Sequence, residues 1–249
     1  MAARQAAPAR RGANPTHFLC IPLLRRQLAR SVAAFRADVT DIHSAAPLPP
    51  DAVRPPGTLH ITLGVMSLPQ PERLARAVAL LKELRLREVL TETRATLRQR
   101  ARGMSDGTAQ DGSVWLTLRG LRAMQDPAST GVLYAPPTDA AGQGAGLLYA
   151  FCQAVRARFI EEGLMEAERR PFLLHATVVN TAHVKKSARG GGRRRERLLL
   201  DARALMDEYA EHVWLDRHEV RSLAICRMGA KPKGDTGDEA YEVVEEVTV

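Results

Sequence analysis

Hydrophobic and polar positions along this chain switch between the two-residue period of strands and the period of about 3.6 residues that is typical of helices. Residues 16–23 and 58–66 are short, largely apolar runs that predict strands. Between them, residues 24–40 carry apolar side chains at helical spacing and lead into a Pro-rich loop. The chain therefore begins with a strand, a helix and a second strand.

A similar order of elements follows in the remainder of the chain. The pattern predicts helices over residues 71–87, 145–163 and 198–213, and strands over residues 113–121, 130–137, 173–181, 219–229 and 241–249. The order strand, helix, strand and helix thus occurs twice, with further strands after each set. Mixed helices and strands with hairpin-like connections predict an α+β fold made of two similar halves.

Two of the predicted strands carry a histidine where an ordinary half-buried strand would not need one. They are "TLHITLGVM" at 58–66 and "LLHATVVNT" at 173–181. Because side chains alternate between the two faces of a strand, one polar face combines Thr58, His60 and Thr62, and the other combines His175 and Thr177. The reverse faces are wholly apolar: Leu59, Ile61 and Leu63 in one strand, and Leu174, Ala176 and Val178 in the other. A core explains the apolar faces but not the polar ones.

Phosphodiester cleavage explains the polar faces. A neutral imidazole takes a proton from an attacking hydroxyl or water, and an imidazolium gives one to the leaving oxygen. Histidine suits both steps because its ordinary pKa of about 6.5 lets either form exist near neutrality. Threonine hydroxyls donate hydrogen bonds to the phosphate oxygens. We therefore predict that His60, Thr62, His175 and Thr177 are catalytic, with no metal and no cofactor.

Two other interpretations of the histidines stay open at this point. A histidine within a strand is commonly a hydrogen-bonded structural residue, although two copies in matched settings weaken that interpretation. A zinc site on His60 and His175 is a further alternative. Zinc takes three or four protein ligands, however, and neither motif has another ligand at a suitable spacing.

The two motifs resemble those of a known superfamily. "HITL" and "HATV" are similar to the paired His-x-Thr-hydrophobic signatures of the two-histidine (2H) phosphoesterases. The stretches "PTHFLCIPL", "LHITLGVM" and "RPFLLHATVVNT" are most similar to its 2′,5′ RNA ligase-like branch, typified by the A-kinase anchor protein seven domain. The resemblance covers about residues 14–249 of the chain.

The resemblance implies a bilobed fold in which two antiparallel sheets, flanked by helices, surround a central cleft with one motif from each lobe. It also implies metal-free action on 2′,3′-cyclic or 2′,5′-linked phosphodiesters of nucleotides or RNA ends. His60, Thr62, His175 and Thr177 match the motif positions of the family. The alternative that it leaves open is a non-catalytic module that binds nucleotides or RNA ends, including AMP-like ligands, in a nuclear protein complex.

Charge and composition add an expectation about partners and location. The formal net charge is +8, which favours an acidic partner such as RNA or a phosphorylated substrate. No apolar run is long enough to span a membrane, and no secretory signal follows the first methionine. The expected location is intracellular, in the nucleus, the cytoplasm or both. Three widely spaced cysteines, Cys20, Cys152 and Cys226, predict buried reduced thiols.

Two basic segments stand outside the predicted domain core. Residues 1–13 have the composition of a disordered tail, which leaves residues 14–249 as a single bilobed domain. Residues 185–197, "KKSARGGGRRRER", predict a flexible loop beside the second motif. This loop either grips RNA phosphates, serves as a two-part nuclear import signal, or is simply solvated. Its candidate phosphate contacts are Lys185, Lys186, Arg193, Arg194 and Arg195.

The remaining aromatic and histidine residues have less specific expectations. His17 either lines the cleft or caps the sheet. The other histidines are expected to be solvent-exposed, in loops or at helix ends: His43, His183, His212 and His218. Trp115 and Tyr134 either stack on a base or pack in the core.

Overall fold

The computed structural model describes residues 14–23, 25–43, 47–100, 112–140, 146–167, 170–184, 198–234 and 238–249. The predicted tail (1–13) and the predicted basic loop (185–197) lie outside the described residues. The candidate phosphate contacts of that loop, Lys185, Lys186, Arg193, Arg194 and Arg195, lie outside them as well.

Five α-helices occur in the described residues: α1 (Arg26–Val39), α2 (Pro71–Glu83), α3 (Leu86–Arg100), α4 (Leu147–Glu161) and α5 (Arg203–Glu208). Three short 3-10 helices span Pro50–Ala52, Pro56–Thr58 and Thr181–His183. None of the helices in these ranges has both the length and the apolar character that a membrane crossing requires.

Twelve strands in the described residues complete the fold: β1 (His17–Pro22), β2 (His60–Met66), β3 (Trp115–Arg119), β4 (Arg122–Ala123), β5 (Val132–Ala135), β6 (Pro137–Asp139), β7 (Ala176–Asn180), β8 (Val213–Glu219), β9 (Ser222–Arg227), β10 (Lys231–Lys233), β11 (Asp238–Ala240) and β12 (Val243–Thr248). They form a seven-stranded sheet, a three-stranded sheet in the order β6-β3-β8, and the β10-β11 hairpin.

The seven-stranded sheet consists of two antiparallel halves that meet in its middle. Its order is β12-β9-β1-β2-β7-β5-β4, and a single residue pair, Ile61 with Ala176, joins β2 to β7. The C-terminal strands β9 and β12 pair beside β1, so the end of the chain completes the half that contains the first motif. The predicted α+β fold with antiparallel sheets is confirmed.

The apolar faces of the two motif strands pack in the protein core, as the alternation predicts. Ile61 and Ala176 are at most 1% exposed. The apolar face of α1, with Val32 and Phe35, belongs to the same continuous cluster of buried side chains as α4. Because burial of a large apolar side chain contributes roughly 1.5–3 kcal/mol, this shared cluster holds the motif strands in one orientation.

One helix is missing from the sequence prediction. The helix predicted over residues 71–87 ends at Glu83, and a second helix, α3, begins at Leu86. Only four of the fifteen residues of α3 are buried: Leu86, Val89, Leu90 and Thr93. The apolar stripe of α3 is therefore short, and its strongly polar second half hides the helical period.

The helix predicted over residues 198–213 is wrong in extent. Only Arg203–Glu208 is helical, and the chain then forms strand β8. The Val-Trp-Leu sequence at the start of β8 suits a strand, and β8 pairs with β3, so that tertiary pairing overrides the local helical pattern. Trp214 is fully buried there, and its Nε1 donates a hydrogen bond to the carbonyl of Gly120 at 2.8 Å.

The expectation that four histidines are exposed holds for two of them. His43 and His183 are exposed. His212 is half-buried against the Trp214 ring, at a centroid distance of 4.5 Å. His218 is buried on β8, where Arg25 Nε donates a hydrogen bond to its Nδ1 at 3.2 Å and burial lowers its pKa to about 4. Both errors have the same cause, since β8 was not predicted.

All three cysteines are free and buried, as the sequence predicts. The Sγ atoms of Cys20 and Cys226 lie 3.9 Å apart on neighbouring strands β1 and β9. Cys152 is fully buried on α4, where burial raises the pKa of its thiol.

Gly120 offers a test of the packing around β8. Its φ is +76°, and a Cβ atom at this position would lie 2.7 Å from the carbonyl oxygen of Ala210. Gly163 also has a positive φ, of +64°, but a Cβ there would have open space. We expect Gly163→Ala to lower the free energy of unfolding by about 1 kcal/mol through backbone strain alone. Gly120→Ala should cost at least about 1 kcal/mol more, because overpacking adds to the strain.

Urea denaturation followed by circular dichroism measures both variants against the natural chain. Equal losses in the two variants would show that the close approach of Gly120 to Ala210 does not constrain the fold.

Candidate active site

The first motif begins strand β2. The 3-10 helix Pro56–Thr58 delivers the chain to His60, which is the first residue of the strand. Thr58 is buried in that turn, and its hydroxyl donates a hydrogen bond to the Pro55 carbonyl at 2.8 Å. The prediction that Thr58 shares a face with His60 is therefore wrong, because the two prolines and the glycine before it favour a turn. His60 and Thr62 keep the predicted alternation around buried Ile61.

The second motif stands at the start of β7 in the same way. His175 directly precedes the strand, and Thr177 is its second residue. Both side chains are half-buried, whereas Ala176 between them is buried. The alternation therefore sets His175 and Thr177 on the face opposite the core.

The pairing of β2 with β7 brings the two motifs together. Ile61 is directly opposite Ala176 in an antiparallel register. His60 and Thr62 flank Ile61, and His175 and Thr177 flank Ala176, so the polar side chains of both motifs lie on either side of the joining pair. His175 is near enough to His60 to lower its pKa. The four side chains are called the polar patch below.

The two histidine rings are held by the same contact. His60 Nδ1 lies 2.8 Å from the carbonyl oxygen of Thr58, and His175 Nδ1 lies 2.9 Å from that of Leu173. A carbonyl oxygen only accepts hydrogen bonds, so each Nδ1 carries a proton and donates it. In the neutral form of each ring, Nε2 is then unprotonated and able to accept a proton.

The threonine hydroxyls complete the patch. Thr62 and Thr177 are half-buried, and across the described ranges neither hydroxyl has a hydrogen-bond partner in the protein. A hydroxyl can donate one hydrogen bond, and two such donors beside two imidazoles suit the oxygens of a phosphate.

His60 lies between two aromatic rings that the sequence analysis did not assign to the site. The Phe18 ring stacks on the imidazole at a centroid distance of 4.6 Å, and Tyr241 meets it edge-on at 5.2 Å. Burial lowers the pKa of His60 to about 4 against the opposing effect of the Thr58 carbonyl, and the nearby His175 and Arg54 lower it further. His60 is therefore neutral at physiological pH.

His175 has a different neighbour. The buried Tyr134 meets the His175 ring edge-on, at a centroid distance of 5.7 Å, and Tyr134 is directly opposite Thr177 in the pairing of β5 with β7. Tyr134 thus borders the site, on the face that it shares with Thr177. Trp115 lies on β3 in the three-stranded sheet, away from both motifs.

Arg54 is a further residue near His60 that the sequence analysis did not assign to the site. It is 5% exposed and comes from the Pro-rich loop before the first motif. The sequence analysis missed Phe18 and Tyr241 as well, because it assigned their segments to strands without any role in the site. A lone arginine in an apolar, Pro-rich stretch was the one available signal for Arg54, while nothing local in the sequence indicates the contacts of Tyr241.

His17 does not join the motif histidines. It is buried at the far end of β1, paired with Met66 on β2 and Arg227 on β9. Its Nδ1 lies 2.9 Å from the Thr16 hydroxyl. Of the two alternatives for this residue, the structure supports a position at the end of the sheet.

The donor set at the site is not that of a metal centre. In the parts of the chain that the structure describes, His, Cys, Asp and Glu side chains form no group of three or more arranged to hold a metal ion. His60 and His175 are accompanied by threonines, whose neutral hydroxyls suit an anion better than a cation.

Comparison with known proteins finds a matching family. The model of a family described as the AKAP7 2′5′ RNA ligase-like domain matches residues 15–249. The uncharacterized protein C15D4.13c of Schizosaccharomyces pombe is 24% identical over 227 residues, which cover 90% of this chain and 91% of that protein.

Two solved structures share the fold at low sequence identity. A crystal structure of a phosphoesterase has a TM-score of 0.50 and 16% identity, covering 94% of this chain and 98% of its own. The crystal structure of TT0787 of Thermus thermophilus has a TM-score of 0.51 and 16% identity, covering 94% of this chain and 97% of its own.

The aromatic neighbours of His60 give a testable prediction. Tyr241→Ala removes one of the two rings that cover the imidazole, so we expect the pKa of His60 to rise from about 4 toward its ordinary value of about 6.5. Tyr149→Ala is the matched control, because Tyr149 packs against Phe172 and not against either motif. NMR titration of isotope-labelled histidine measures both variants. An unchanged pKa in Tyr241→Ala would contradict burial by the aromatic pair as the cause.

Proposed function

Since this chain belongs to the AKAP7 2′5′ RNA ligase-like domain family, we propose that it is a phosphodiesterase that uses paired-histidine acid–base catalysis. The proposed substrates are 2′,3′-cyclic or 2′,5′-linked phosphodiesters of nucleotides or RNA ends. The observation that carries this proposal is the common face of the adjacent strands β2 and β7, which presents His60 and His175 with similarly tethered rings.

His60 is the proposed general base. Its Nδ1 donates to the Thr58 carbonyl, so the neutral ring offers an unprotonated Nε2 to the attacking hydroxyl or water. The lowered pKa keeps this neutral form dominant at physiological pH. When Nε2 takes the proton, the adjacent anionic phosphate stabilises the resulting imidazolium.

His175 is the proposed general acid. In its protonated form, Nε2 donates a proton to the leaving oxygen as the phosphorus–oxygen bond breaks, and His175 ends the step neutral. The hydroxyls of Thr62 and Thr177 donate hydrogen bonds to the non-bridging oxygens, where negative charge grows in the transition state. Rigid strands supply all four groups, which lowers the entropic cost of orienting them.

The family supports the proposed substrate class, and the same chemistry suits it. In a 2′,5′-linked diester the neighbouring 3′-hydroxyl or a water attacks, and in a 2′,3′-cyclic diester water attacks and a ribose oxygen leaves. The net charge of +8 favours a polyanionic substrate such as an RNA end.

Substitution of the histidines tests the proposal. We expect His60→Ala and His175→Ala each to lower kcat about 10²–10⁴-fold on 2′,3′-cyclic AMP and 2′,5′-linked oligoadenylate. Thr62→Ala and Thr177→Ala should each lower it about 10²–10³-fold. His43→Ala is the control, because His43 is exposed and lies outside the site. Full activity in His60→Ala would refute the assignment.

The proposed role of His60 predicts the direction in which kcat/KM changes with pH. The base must be neutral, so kcat/KM should fall as the pH drops through the His60 pKa of about 4. In Tyr241→Ala the acidic limb should move upward together with the His60 pKa. If the acidic limb of the kcat/KM profile does not move in this variant, His60 is not the base.

Calorimetry with AMP distinguishes the alternative role of a non-catalytic binding module. Binding of AMP together with no product from either substrate would overturn the catalytic proposal in favour of that module. Turnover that depends on both histidines would exclude it.

A further inference from the structure

Arg54 is fixed beside the second motif by its main chain. Its backbone N–H donates to the carbonyl of Val178 at 2.8 Å, and the preceding residue, Val53, forms an isolated antiparallel bridge with Val179. Val178 directly follows Thr177, so the loop that carries Arg54 runs along β7 next to the polar patch.

The side chain of Arg54 is buried without an adequate hydrogen-bond acceptor. It is 6% exposed, and its Nη2 atom is buried with no hydrogen-bond partner in the described part of the chain. The nearest carboxylate oxygen, Oε2 of Glu239, is 3.7 Å from Nη2, which is too long for a hydrogen bond. A buried guanidinium with an unmet donor lowers the stability of the fold, so a ligand that supplies the missing acceptor would explain why it is there.

The positive charge of Arg54 acts on two histidines. It contributes to lowering the pKa of His60, behind burial and His175, and the pKa of His183, behind burial alone. His183 is exposed and ends the 3-10 helix that follows β7. Arg54 therefore lies within electrostatic reach of both the proposed base and an exposed residue outside the motif patch.

The unmet donor of Arg54 suits a phosphate at hydrogen-bond distance better than the carboxylate of Glu239 at 3.7 Å. A guanidinium binds phosphate oxygens through short, charge-assisted hydrogen bonds of about 2.7–2.9 Å, often two at a time. Glu239 is 38% exposed in its side chain and lies on the β10-β11 hairpin, so water can hydrate the carboxylate when a stronger acceptor replaces it.

We propose that Arg54 binds a second phosphate of the substrate, separate from the phosphate between the two histidines. This inference rests on the proposed function, and it specifies the ligand as a nucleotide or RNA end with two phosphate groups. The four motif side chains already supply donors to the reacting phosphate. Arg54 lies at one side of that patch, where its backbone N–H bonds to the carbonyl of Val178 and its side chain faces Glu239.

Binding of two related ligands tests this inference without any need for turnover. Isothermal calorimetry would compare adenosine 3′-monophosphate with adenosine 3′,5′-bisphosphate. We expect the natural chain to bind the bisphosphate roughly ten- to a hundredfold more tightly, the range for hydrogen bonds to a charged group. Arg54→Gln should abolish this preference, so that the two ligands bind with similar affinity.

Two further variants separate ligand binding from a structural ion pair. Glu239→Gln removes the competing carboxylate, so it should increase the preference for the bisphosphate. Arg119→Gln is the matched control, because Arg119 forms an exposed pair with Glu211 at 3.1 Å on the three-stranded sheet. It should leave the preference unchanged.

The outcomes distinguish this inference from the proposed function. No preference for the bisphosphate in the natural chain, or an undiminished preference in Arg54→Gln, would overturn the role of Arg54. If Arg54→Gln does not fold, Glu239→Gln decides alone, and a weaker preference there contradicts the inference. A preference that depends on Arg54 in a protein without turnover would support the second-phosphate site while the catalytic proposal fails.

Discussion

The pairing of Ile61 with Ala176 is the contact on which the site depends. Within the described residues it is the one residue pair that joins the two halves of the seven-stranded sheet, and it sets the register of both motifs. A slip of either strand by one residue would turn its histidine toward the core and its apolar side chains toward solvent. Burial of Ile61 and Ala176 opposes such a slip, so the packing of the core positions the polar patch.

The two motifs are alike in backbone geometry and differ in surroundings. Each histidine donates its Nδ1 proton to the carbonyl two residues before it. His60, however, is covered by Phe18 and Tyr241, whereas His175 borders Tyr134. A symmetric pair of imidazoles would not favour one direction of proton transfer. The aromatic cover on one side supplies the asymmetry that the proposed base and acid require.

The composition of the site follows from sequence only where its causes are local. Alternation in two short segments was sufficient to place His60 and His175 on a polar face, because a strand with one apolar face has a single way to pack. Thr58 escaped that rule because a turn precedes the strand. Tyr241 and Arg54 reach the site through contacts between distant parts of the chain, which no local period encodes. Strand β8 was missed for the same reason, since its pairing with β3 overrides the helical pattern.

A crystal structure with adenosine and vanadate, which together mimic the transition state of phosphoryl transfer, tests the central claim most directly. We expect vanadium between the Nε2 atoms of His60 and His175, with the hydroxyls of Thr62 and Thr177 donating to its equatorial oxygens. Vanadate bound elsewhere, or in contact with only one of the two imidazoles, would contradict a paired-histidine site.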